Sequence, residues 1–370
     1  MIHAAETAEG SFEFEDTTLS DAPDLIVFAK STLACNWNEA FVKWKYFCNP
    51  TGPFYGRCAR LDGRAVGFYG NTPVRLKIGN RTVIAAQAVD GMIAPEQRRQ
   101  GLFVALAQQT YRQMDEAGIA LAYAFPNPVS KSAFLKRLAW TEVGDIPRFV
   151  KLLDVDAIVR ESARKGLTRD LLKLLLRTAQ SWALRGGPAK PNSQIRIHEF
   201  VEFDERFDDL WHLAATKSRL AIVRDRVYLN WRYVQNPSGQ YSLLAAFRGD
   251  DLVGYTVLSK RDLGRGILAI AEWLVAPNDE MAAVELLRAS EVRARALNAD
   301  QLQCWMLPHQ EFYSRLLKRN GFIHTQAKYA PGIFSYSTPF NIRVAPDSEL
   351  SPDPRQLGNW YLTMGDHDYY

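Results

Sequence analysis

The stretch Ile93-Ala94-Pro95-Glu96-Gln97-Arg98-Arg99-Gln100-Gly101-Leu102-Phe103 connects a predicted strand to a predicted helix. A mostly apolar run, Val89 to Ala94, precedes it, and a helical pattern, Val104 to Met114, follows it. A strand that stops at the proline and continues as a helix after the glycine directs several backbone N–H groups into one small concavity. The helix dipole and the two neighbouring arginines add positive charge. The stretch therefore predicts a cradle for a pyrophosphate group.

The composition limits the classes of protein that this chain can be. It has 370 residues, of which 47% are hydrophobic, and a net charge of +4. This length allows two or three domains, and the charge is too small and diffuse to indicate a nucleic-acid partner. The four cysteines form no CxxC pair, so the sequence predicts no metal site and favours a reducing cytoplasm. Residues 1–21 lack a signal-peptide pattern and no apolar run approaches the ~20 residues of a membrane span, so we expect a soluble, cytoplasmic protein.

The chain contains an internal repeat. Residues 41–67 align without a gap on residues 228–254, at a constant offset of 187, with 8 identities in 27 positions. The match resumes at an offset of 182, where Ala94-Pro95 meets Ala276-Pro277. The identities of the first block include Trp44, Tyr46, Asn49 and Pro50, which meet Trp231, Tyr233, Asn236 and Pro237. The sequence therefore predicts two copies of one unit rather than two unrelated domains.

Each copy is predicted to be a mixed α/β unit. A helix ending in WKY or WRY is followed by an Asn-Pro-x-Gly turn, an antiparallel hairpin, and alternating strands and helices. In the first copy one hairpin joins residues 55–61 to 65–69, and a second joins 74–78 to 82–86. This order predicts a mixed, mostly antiparallel sheet with helices on both faces. The predicted divisions are an N-terminal extension (1–22), a first domain (23–150), a basic helical linker (151–194), a second domain (195–336) and a C-terminal tail (337–370).

The order of elements, with Arg98-x-x-Gly101 between strand and helix, resembles the GNAT acetyltransferase superfamily, whose loop reads Q/R-x-x-G-x-G/A. The resemblance covers each copy and implies two tandem GNAT-like domains. It also implies that coenzyme A binds in a slot between two diverging strands, with Met92 and Ile93 lining the thioester. The residues that would hold the pyrophosphate are Arg98, Arg99, Gln100, Gly101, Leu102 and Phe103, the last of which replaces a small residue of the family pattern.

The second copy departs from this pattern at the loop. Its counterpart, Asp279-Glu280-Met281-Ala282-Ala283, contains neither glycine nor arginine. Two carboxylates at this position would repel a pyrophosphate. We therefore expect that only the first copy binds coenzyme A and that the second is degenerate.

Acyl transfer to an amine needs a base, a donor to the thioester oxygen and an acid for the leaving thiolate. Asp90 is a candidate base, or a surface carboxylate, because strand alternation alone does not say which face carries the cleft. The resemblance places the family's tyrosine acid at Leu135, so Tyr123 on the preceding strand is the candidate acid, or a packing residue. Asn127 is a candidate ligand of pantetheine or the thiol, or a turn former.

Two segments outside the repeat leave alternatives open. Resemblance to multi-domain GNAT enzymes makes the C-terminal carboxylate of Tyr370 a second candidate base, against a tail docked only for packing. Residues 167–184 form a predicted basic amphipathic helix, with Leu171, Leu174 and Leu175 on its apolar stripe. This helix is either a packed connector or a peripheral contact with an anionic membrane.

Together these features predict an N-acyltransferase that uses acetyl-CoA, or another acyl-CoA, as co-substrate. The expected acceptor is a small amine, such as an amino sugar. A non-catalytic coenzyme A sensor or scaffold is the alternative, suggested by Leu135 and Phe103. A peptidoglycan-building aminoacyltransferase also uses tandem GNAT-like folds, but such enzymes usually lack the loop that is intact here.

Overall fold

The structure, a computed structural model, describes residues 5–7, 10–161, 166–183, 194–239, 241–260, 266–326 and 337–368. Its strands are β1 (Ala5–Thr7), β2 (Gly10–Asp16), β3 (Tyr55–Leu61), β4 (Arg64–Ile78), β5 (Arg81–Ile93), β6 (Leu121–Ala124), β7 (Thr141–Ile146), β8 (Arg148–Leu152), β9 (Ile195–Glu199), β10 (Leu220–Ile222), β11 (Tyr241–Arg248), β12 (Asp251–Ser259), β13 (Ile267–Val275), β14 (Gln301–Trp305), β15 (Ile323–His324), β16 (Thr338–Val344) and β17 (Trp360–Tyr361). Its α-helices are α1 (Ala22–Leu33), α2 (Glu39–Val42), α3 (Leu102–Glu116), α4 (Pro128–Arg137), α5 (Val155–Glu161), α6 (Leu167–Ala183), α7 (Glu205–Ala215), α8 (Arg226–Leu229), α9 (Glu280–Ala296) and α10 (Glu311–Arg319).

The central hairpin of the first sheet follows from its turn residues. Asp62 and Gly63 have φ of 50° and 73°, the two positive values that a tight two-residue turn between twisted strands requires. After this turn β4 continues through Pro73, where the sequence predicts two shorter strands. The Pro73 carbonyl accepts a hydrogen bond from Asn49 and not from β5. Its missing N–H therefore lies on the side of β4 that β5 does not use, which makes proline acceptable there.

One compact unit, unit 1, comprises Met1–Gly144, Val227–Gly239 and Pro339–Leu357. Its sheet has the strand order β1-β2-β3-β4-β5-β6-β16-β7, in which β5 and β6 are parallel. Gly67 packs under Leu102 and Leu106 of α3, whereas the next residue, Phe68, packs on Tyr46. Neighbouring strand residues point to opposite faces, so helical segments cover both faces of this sheet. The predicted α/β fold class, with its mixed sheet, is confirmed.

The other compact unit, unit 2, comprises Asp145–Arg226, Gln240–Thr338 and Gly358–Tyr370. Its sheet has the order β15-β8-β14-β13-β12-β11-β9. Here β13 and β14 are parallel, and β12 pairs antiparallel with both β11 and β13. The element order of unit 1 therefore recurs, as the repeat predicts.

The strand at the C-terminal boundary of each copy lies in the sheet that the other copy forms. β8 spans the predicted end of the first copy at residue 150 but lies between β14 and β15 in unit 2. β16 follows the second copy but lies between β6 and β7 in unit 1. A sequence repeat records the order of elements, while strand pairing over long sequence separations decides which sheet each strand completes. The predicted domain boundaries stay a prediction, and the structural units differ from them in these segments.

A pair of tryptophans joins the two repeated WKY and WRY segments inside unit 1. Both segments are π-helical, over Lys43–Phe47 and Asn230–Val234. The indoles of Trp44 and Trp231 are stacked, with ring centroids 5.2 Å apart. Trp44 Nε1 donates to the Trp231 carbonyl at 2.7 Å, and Trp231 Nε1 donates to the Trp44 carbonyl at 3.2 Å. The two repeated segments therefore make reciprocal contacts, in which each indole donates to the backbone carbonyl of the other tryptophan.

The tail is held in unit 2 by a buried ion cluster. The fully buried Arg224 donates to Glu272 at 2.9 Å, to Asp366 at 2.7 Å and to the Thr363 hydroxyl at 3.1 Å. Its guanidinium lies 5.0 Å from the ring centroid of Tyr361. Breaking such a buried network leaves an uncompensated charge, so the tail is an integral part of this unit.

The helix α6 does not use its predicted stripe for packing. Leu172 and Leu176 are buried against α5, whereas Leu171, Leu174 and Leu175 are 53%, 63% and 59% exposed. Contact of this exposed stripe with a membrane surface stays a prediction. Among the described helices, none combines the length and the apolar character that crossing a bilayer needs.

Replacing Trp44 and Trp231 by phenylalanine, singly and together, tests the tryptophan pair. Each single change removes one indole donor from a buried carbonyl, and we expect it to lower the free energy of unfolding by about 1–3 kcal/mol. The ring contact should couple the two changes by about 0.5–1.5 kcal/mol in a double-mutant cycle measured by urea unfolding. Trp37→Phe is the matched control, since no hydrogen bond of its indole is found among the described residues. Additive effects no larger than the control would contradict this role.

Candidate functional site

Two parallel strands part in the middle of the unit 1 sheet. β5 pairs with β6 only from Ala85 opposite Leu121 to Gln87 opposite Tyr123. Beyond this point β5 continues to Ile93 with β4 as its partner, whereas β6 ends at Ala124. An opening, which we call the slot, therefore lies between residues 88–93 of β5 and the end of β6.

The backbone of β5 presents hydrogen-bonding groups to the slot. Met92 is paired with Phe68, and the Ala94 N–H donates to the Val66 carbonyl at 2.9 Å. Alternate residues of a strand direct their N–H and C=O groups to opposite sides, so those of Ile93 point away from β4 and into the slot. The Ile93 carbonyl accepts a hydrogen bond from Arg98 Nε at 3.2 Å. For the Ile93 N–H, no loop or side-chain acceptor is found within the described ranges.

The loop at the wide end of the slot has a backbone geometry that suits an anion. Arg99 and Gly101 have φ of 65° and 85°, and Gly101 caps the N-terminus of α3. An added Cβ at Gly101 would meet no atom within 4 Å, so the backbone conformation and not crowding calls for glycine. The N–H groups of residues 99–104 have no acceptor in the described part of the chain. They lie at the positive end of a fifteen-residue helix, beside the exposed side chains of Arg98 and Arg99.

Phe103 packs toward the sheet. Its ring lies edge-on to Tyr69, with centroids 5.4 Å apart, and 5.9 Å from the ring of Phe134. A Cβ added to Gly91 would stand 2.7 Å from this ring. The resemblance implies a small residue at position 103. The glycine at position 91 of β5 leaves room for the phenylalanine that this chain has there.

Asp90 lies on the face of the sheet opposite to α3. It has a φ of 52° at a bulge where the pairing shifts between Phe68 and Gly70. Its carboxylate accepts a hydrogen bond from the Tyr46 hydroxyl at 2.7 Å and forms an ion pair with Lys45. Both charged side chains are largely buried, at 11% exposure for Asp90 and 7% for Lys45. The sequence left the face of Asp90 open, and the bulge with its Tyr46 contact decides it.

Aromatic rings surround the cation that pairs with Asp90. Lys45 Nζ lies 5.7 Å from the ring centroids of Trp37 and Phe41 and 5.8 Å from that of Tyr46. Ring faces attract a cation, and they compensate in part for the water that Lys45 has lost. The arrangement holds one carboxylate beside the slot in a fixed position.

The other predicted site residues make their observed contacts with residues outside the loop. Tyr123 is 1% exposed, on the face shared by its strand partner Gln87, with its ring 5.8 Å from Phe125. The Asn127 side-chain oxygen caps α4 by accepting the N–H groups of residues 129 and 130, at 3.0 Å each. Met92 is buried in the core, and its backbone groups serve β4. Tyr370 lies outside the described residues.

Sequence reasoning missed Lys45 and Tyr46 as site residues. Both belong to the WKY segment, which recurs as WRY in the degenerate copy, and recurrence in a copy without the loop favours a structural role. The available signal was the lysine itself, a charged residue between the aromatic residues Trp44 and Tyr46.

In unit 2 the counterparts of the loop and the slot are filled by the chain's own side chains. The Asp279 carboxylate caps α9 by accepting the Ala282 N–H at 3.1 Å, and it also pairs with Arg248. At the counterpart of the slot, the Tyr361 hydroxyl donates to the Trp273 carbonyl at 2.7 Å, and the Val275 N–H donates to the Tyr313 hydroxyl at 3.4 Å. Trp273 and Val275 correspond to Gly91 and Ile93 of the first copy at the offset of 182.

Comparison with known proteins gives a domain match over part of the chain and a similar fold over most of it. Residues 36–143 match the family model described as Acetyltransferase (GNAT) domain. A GCN5-related N-acetyltransferase from Anabaena variabilis ATCC 29413 is similar in structure, with a TM-score of 0.61 at 15% identity over 90% of this chain and 73% of that one. N-myristoyltransferase from Saccharomyces cerevisiae with bound myristoyl-CoA has a TM-score of 0.60 at 13% identity over 97% of this chain and 91% of that one. A probable N-acyltransferase from Enterococcus faecalis V583 has a TM-score of 0.60 at 10% identity over 90% and 73%. No curated protein matches the chain in sequence.

Substitution of Lys45 tests the buried ion pair. We expect Lys45→Met to lower the free energy of unfolding by about 3–5 kcal/mol, because it leaves the Asp90 carboxylate buried without its cation. Lys45→Met combined with Asp90→Asn should recover much of this loss, since no charge is then unpaired. Urea unfolding of both variants measures the difference, with Lys43→Met, an exposed lysine of the same segment, as control. A double variant that is less stable than Lys45→Met would contradict the pairing.

Proposed function

Residues 36–143 match the model of the GNAT acetyltransferase domain, and on that premise we propose that the chain is an acyl-CoA-dependent N-acyltransferase. The simplest donor is acetyl-CoA, and the acceptor is a small amine such as an amino sugar. The observation that carries the proposal is the slot itself. It has a loop at its wide end whose N–H groups find no acceptor among the described residues, β5 backbone groups that face away from β4 along one edge, and the carboxylate of Asp90 on the opposite face of the sheet.

Each part of the slot has a task in this proposal. The N–H groups of residues 99–104 hold the pyrophosphate of coenzyme A, with Arg98 and Arg99 adding positive charge. The Ile93 N–H binds an amide carbonyl of the pantetheine arm. Gly91 lies beside the path of that arm, and the ring of Phe103 packs against Gly91. Hydrogen bonds from fixed backbone groups cost no rearrangement when the ligand enters.

Asp90 serves as the base. Coenzyme A thioesters supply an activated acyl group, which a neutral amine attacks directly. An amine is mostly protonated at neutral pH, so it must lose a proton before it attacks. Asp90 takes that proton, directly or through one water, and Tyr46 and Lys45 keep its carboxylate in place. Tyr123, on the same face, is the candidate donor of a proton to the departing sulfur.

A coenzyme A sensor or scaffold is the second candidate function. Leu135 occupies the position at which the family resemblance implies a tyrosine acid, and this observation favours binding without turnover. The two functions share the loop and differ in the need for Asp90. Activity measurements on Asp90 variants therefore separate them.

Titration calorimetry with acetyl-CoA tests the binding site. We expect wild type to bind and Arg98→Ala combined with Gly101→Glu to lose at least about tenfold in affinity, because the second change brings a carboxylate to the anion site. Arg112→Ala, an exposed arginine farther along α3, is the matched control and should bind as wild type does. Absence of binding by wild type would refute the proposal.

Release of free thiol from acetyl-CoA in the presence of a panel of amines and amino sugars tests the reaction. The variant that combines Lys45→Met and Asp90→Asn should keep its affinity for acetyl-CoA and lose about 100-fold or more in kcat, the usual contribution of a positioned base. Lys43→Met should leave both values unchanged. Binding by wild type without turnover of any amine would favour the sensor instead.

A further inference from the structure

Two asparagines flank the narrow end of the slot. The last residue pair between β5 and β6 is Gln87 with Tyr123, and a row here means the residues that are paired across neighbouring strands. In the next row Asn71 on β4 is paired with Ala88 on β5, and Asn341 on β16 is paired with Ala124 on β6. Between Ala88 and Ala124 there is no ladder pairing, so the slot begins between these two alanines.

Both asparagines lie on the α3 face of the sheet. Asn71 is two residues from Tyr69, whose hydroxyl contacts that of Tyr111 in α3 at 2.8 Å. Asn341 is two residues from Arg343, which pairs with Asp115 in α3 at 2.6 Å. Residues two apart in a strand share a face. Cross-strand partners share a face as well, so Ala88 and Ala124 lie between the two asparagines and leave room for their carboxamides.

Neither carboxamide has a partner. Both residues are 0% exposed, and for the nitrogen and the oxygen of each side chain no hydrogen-bond partner is found among the described residues. The Asn71 amide lies near the Tyr69 hydroxyl, whose pKa burial raises, but it makes no hydrogen bond of normal geometry with it. A buried polar group without a partner is costly, and in native structures such a group is satisfied by an ordered water, an ion or a ligand or has a functional role.

The position of the asparagines says which part of a ligand they meet. The anion-binding loop follows Ile93 at the wide end of the slot, and the asparagines lie at its narrow end. A coenzyme A thioester with its pyrophosphate on the loop therefore directs its acyl group toward Ala88. The degenerate copy supports this assignment, because its counterpart of Asn71 at the offset of 187 is the fully buried Leu258.

We infer that Asn71 and Asn341 bind a polar, uncharged group on the acyl chain, such as a hydroxyl or an amide a few atoms from the thioester carbonyl. The inference rests on the proposed function and specifies its acyl donor. A carboxamide both donates and accepts, so two of them match a hydroxyl or an amide. The cation two residues from Asn341, Arg343, is bonded by both nitrogens to Asp115 at 2.9 and 2.6 Å. A carboxylate on the acyl group would thus meet no cation that is unpaired among these described neighbours.

Butyryl-CoA and 3-hydroxybutyryl-CoA, which differ by one hydroxyl, test the inference. Titration calorimetry on the full chain should show tighter binding of the hydroxylated thioester by about tenfold or more, since a site built to hydrogen-bond a ligand group rejects the analogue that lacks it. Asn71→Leu and Asn341→Leu should each reduce this ratio toward one. Both should bind coenzyme A itself as wild type does, because the loop is untouched. Asn80→Leu, in the exposed β4–β5 turn, is the matched control and should keep the ratio.

Thermal unfolding of the same variants supplies a second readout. Leucine has nearly the shape of asparagine and needs no partner, so Asn71→Leu and Asn341→Leu should be at least as stable as wild type. Equal affinity of wild type for the two thioesters, with coenzyme A still bound, would overturn the inference and leave the proposed function standing. A ratio that persists in both leucine variants would likewise overturn it. No binding of coenzyme A by wild type would refute the proposed function and this inference with it.

Discussion

The separation of β5 from β6 after Gln87 is the constraint on which the rest of unit 1 depends. Strands that stay paired use their backbone groups on each other, and these groups cannot then bind a ligand. Because β6 ends at Ala124 while β5 runs on to Ile93, one edge of β5 is available inside the sheet. The loop that follows β5 then lies at the end of the same opening. The loop, the backbone edge of β5 and the buried asparagines therefore follow one another along the same opening.

The two copies share the arrangement of loop and strand edge, and in the second copy side chains of the chain itself fill it. The first copy retains a glycine at 101 and leaves the helix N-terminus uncapped by any side chain. In the second copy Asp279 caps the corresponding helix and Tyr361 bonds the β13 carbonyl that corresponds to Gly91. In the second copy, a carboxylate and a hydroxyl of the chain itself thus bond to a helix N–H and a strand carbonyl, the kinds of backbone group that a phosphorylated ligand would bind. The second copy thereby gains a closed core and a docked tail.

Much of the fold was predictable from the sequence, because its signals are local. Asp62-Gly63 specifies a tight turn, Gly101 a helix start with positive φ, and the recurrence of WKY and WRY a duplicated unit. The site was predictable in part for the same reason, since the N–H groups of the loop come from consecutive residues. The positions of Lys45, Asn71 and Asn341 beside the slot were not predictable. They are separated along the chain and meet the slot only through strand pairing and helix packing.

The sequence by itself determined the mixed α/β fold, the repeat, and the glycine and arginines that distinguish the loop of the first copy from its counterpart in the second. These depend on residue types at short spacing, where backbone geometry and charge act directly. Only the tertiary structure decided which sheet β8 and β16 complete, which face carries Asp90, and what surrounds the slot. Strand exchange pairs residues more than 200 positions apart, such as Ala124 and Asn341, and a single bulge at Asp90 changes the alternation that the sequence pattern relies on. Neither leaves a local mark in the chain, because both follow from packing of the whole sheet.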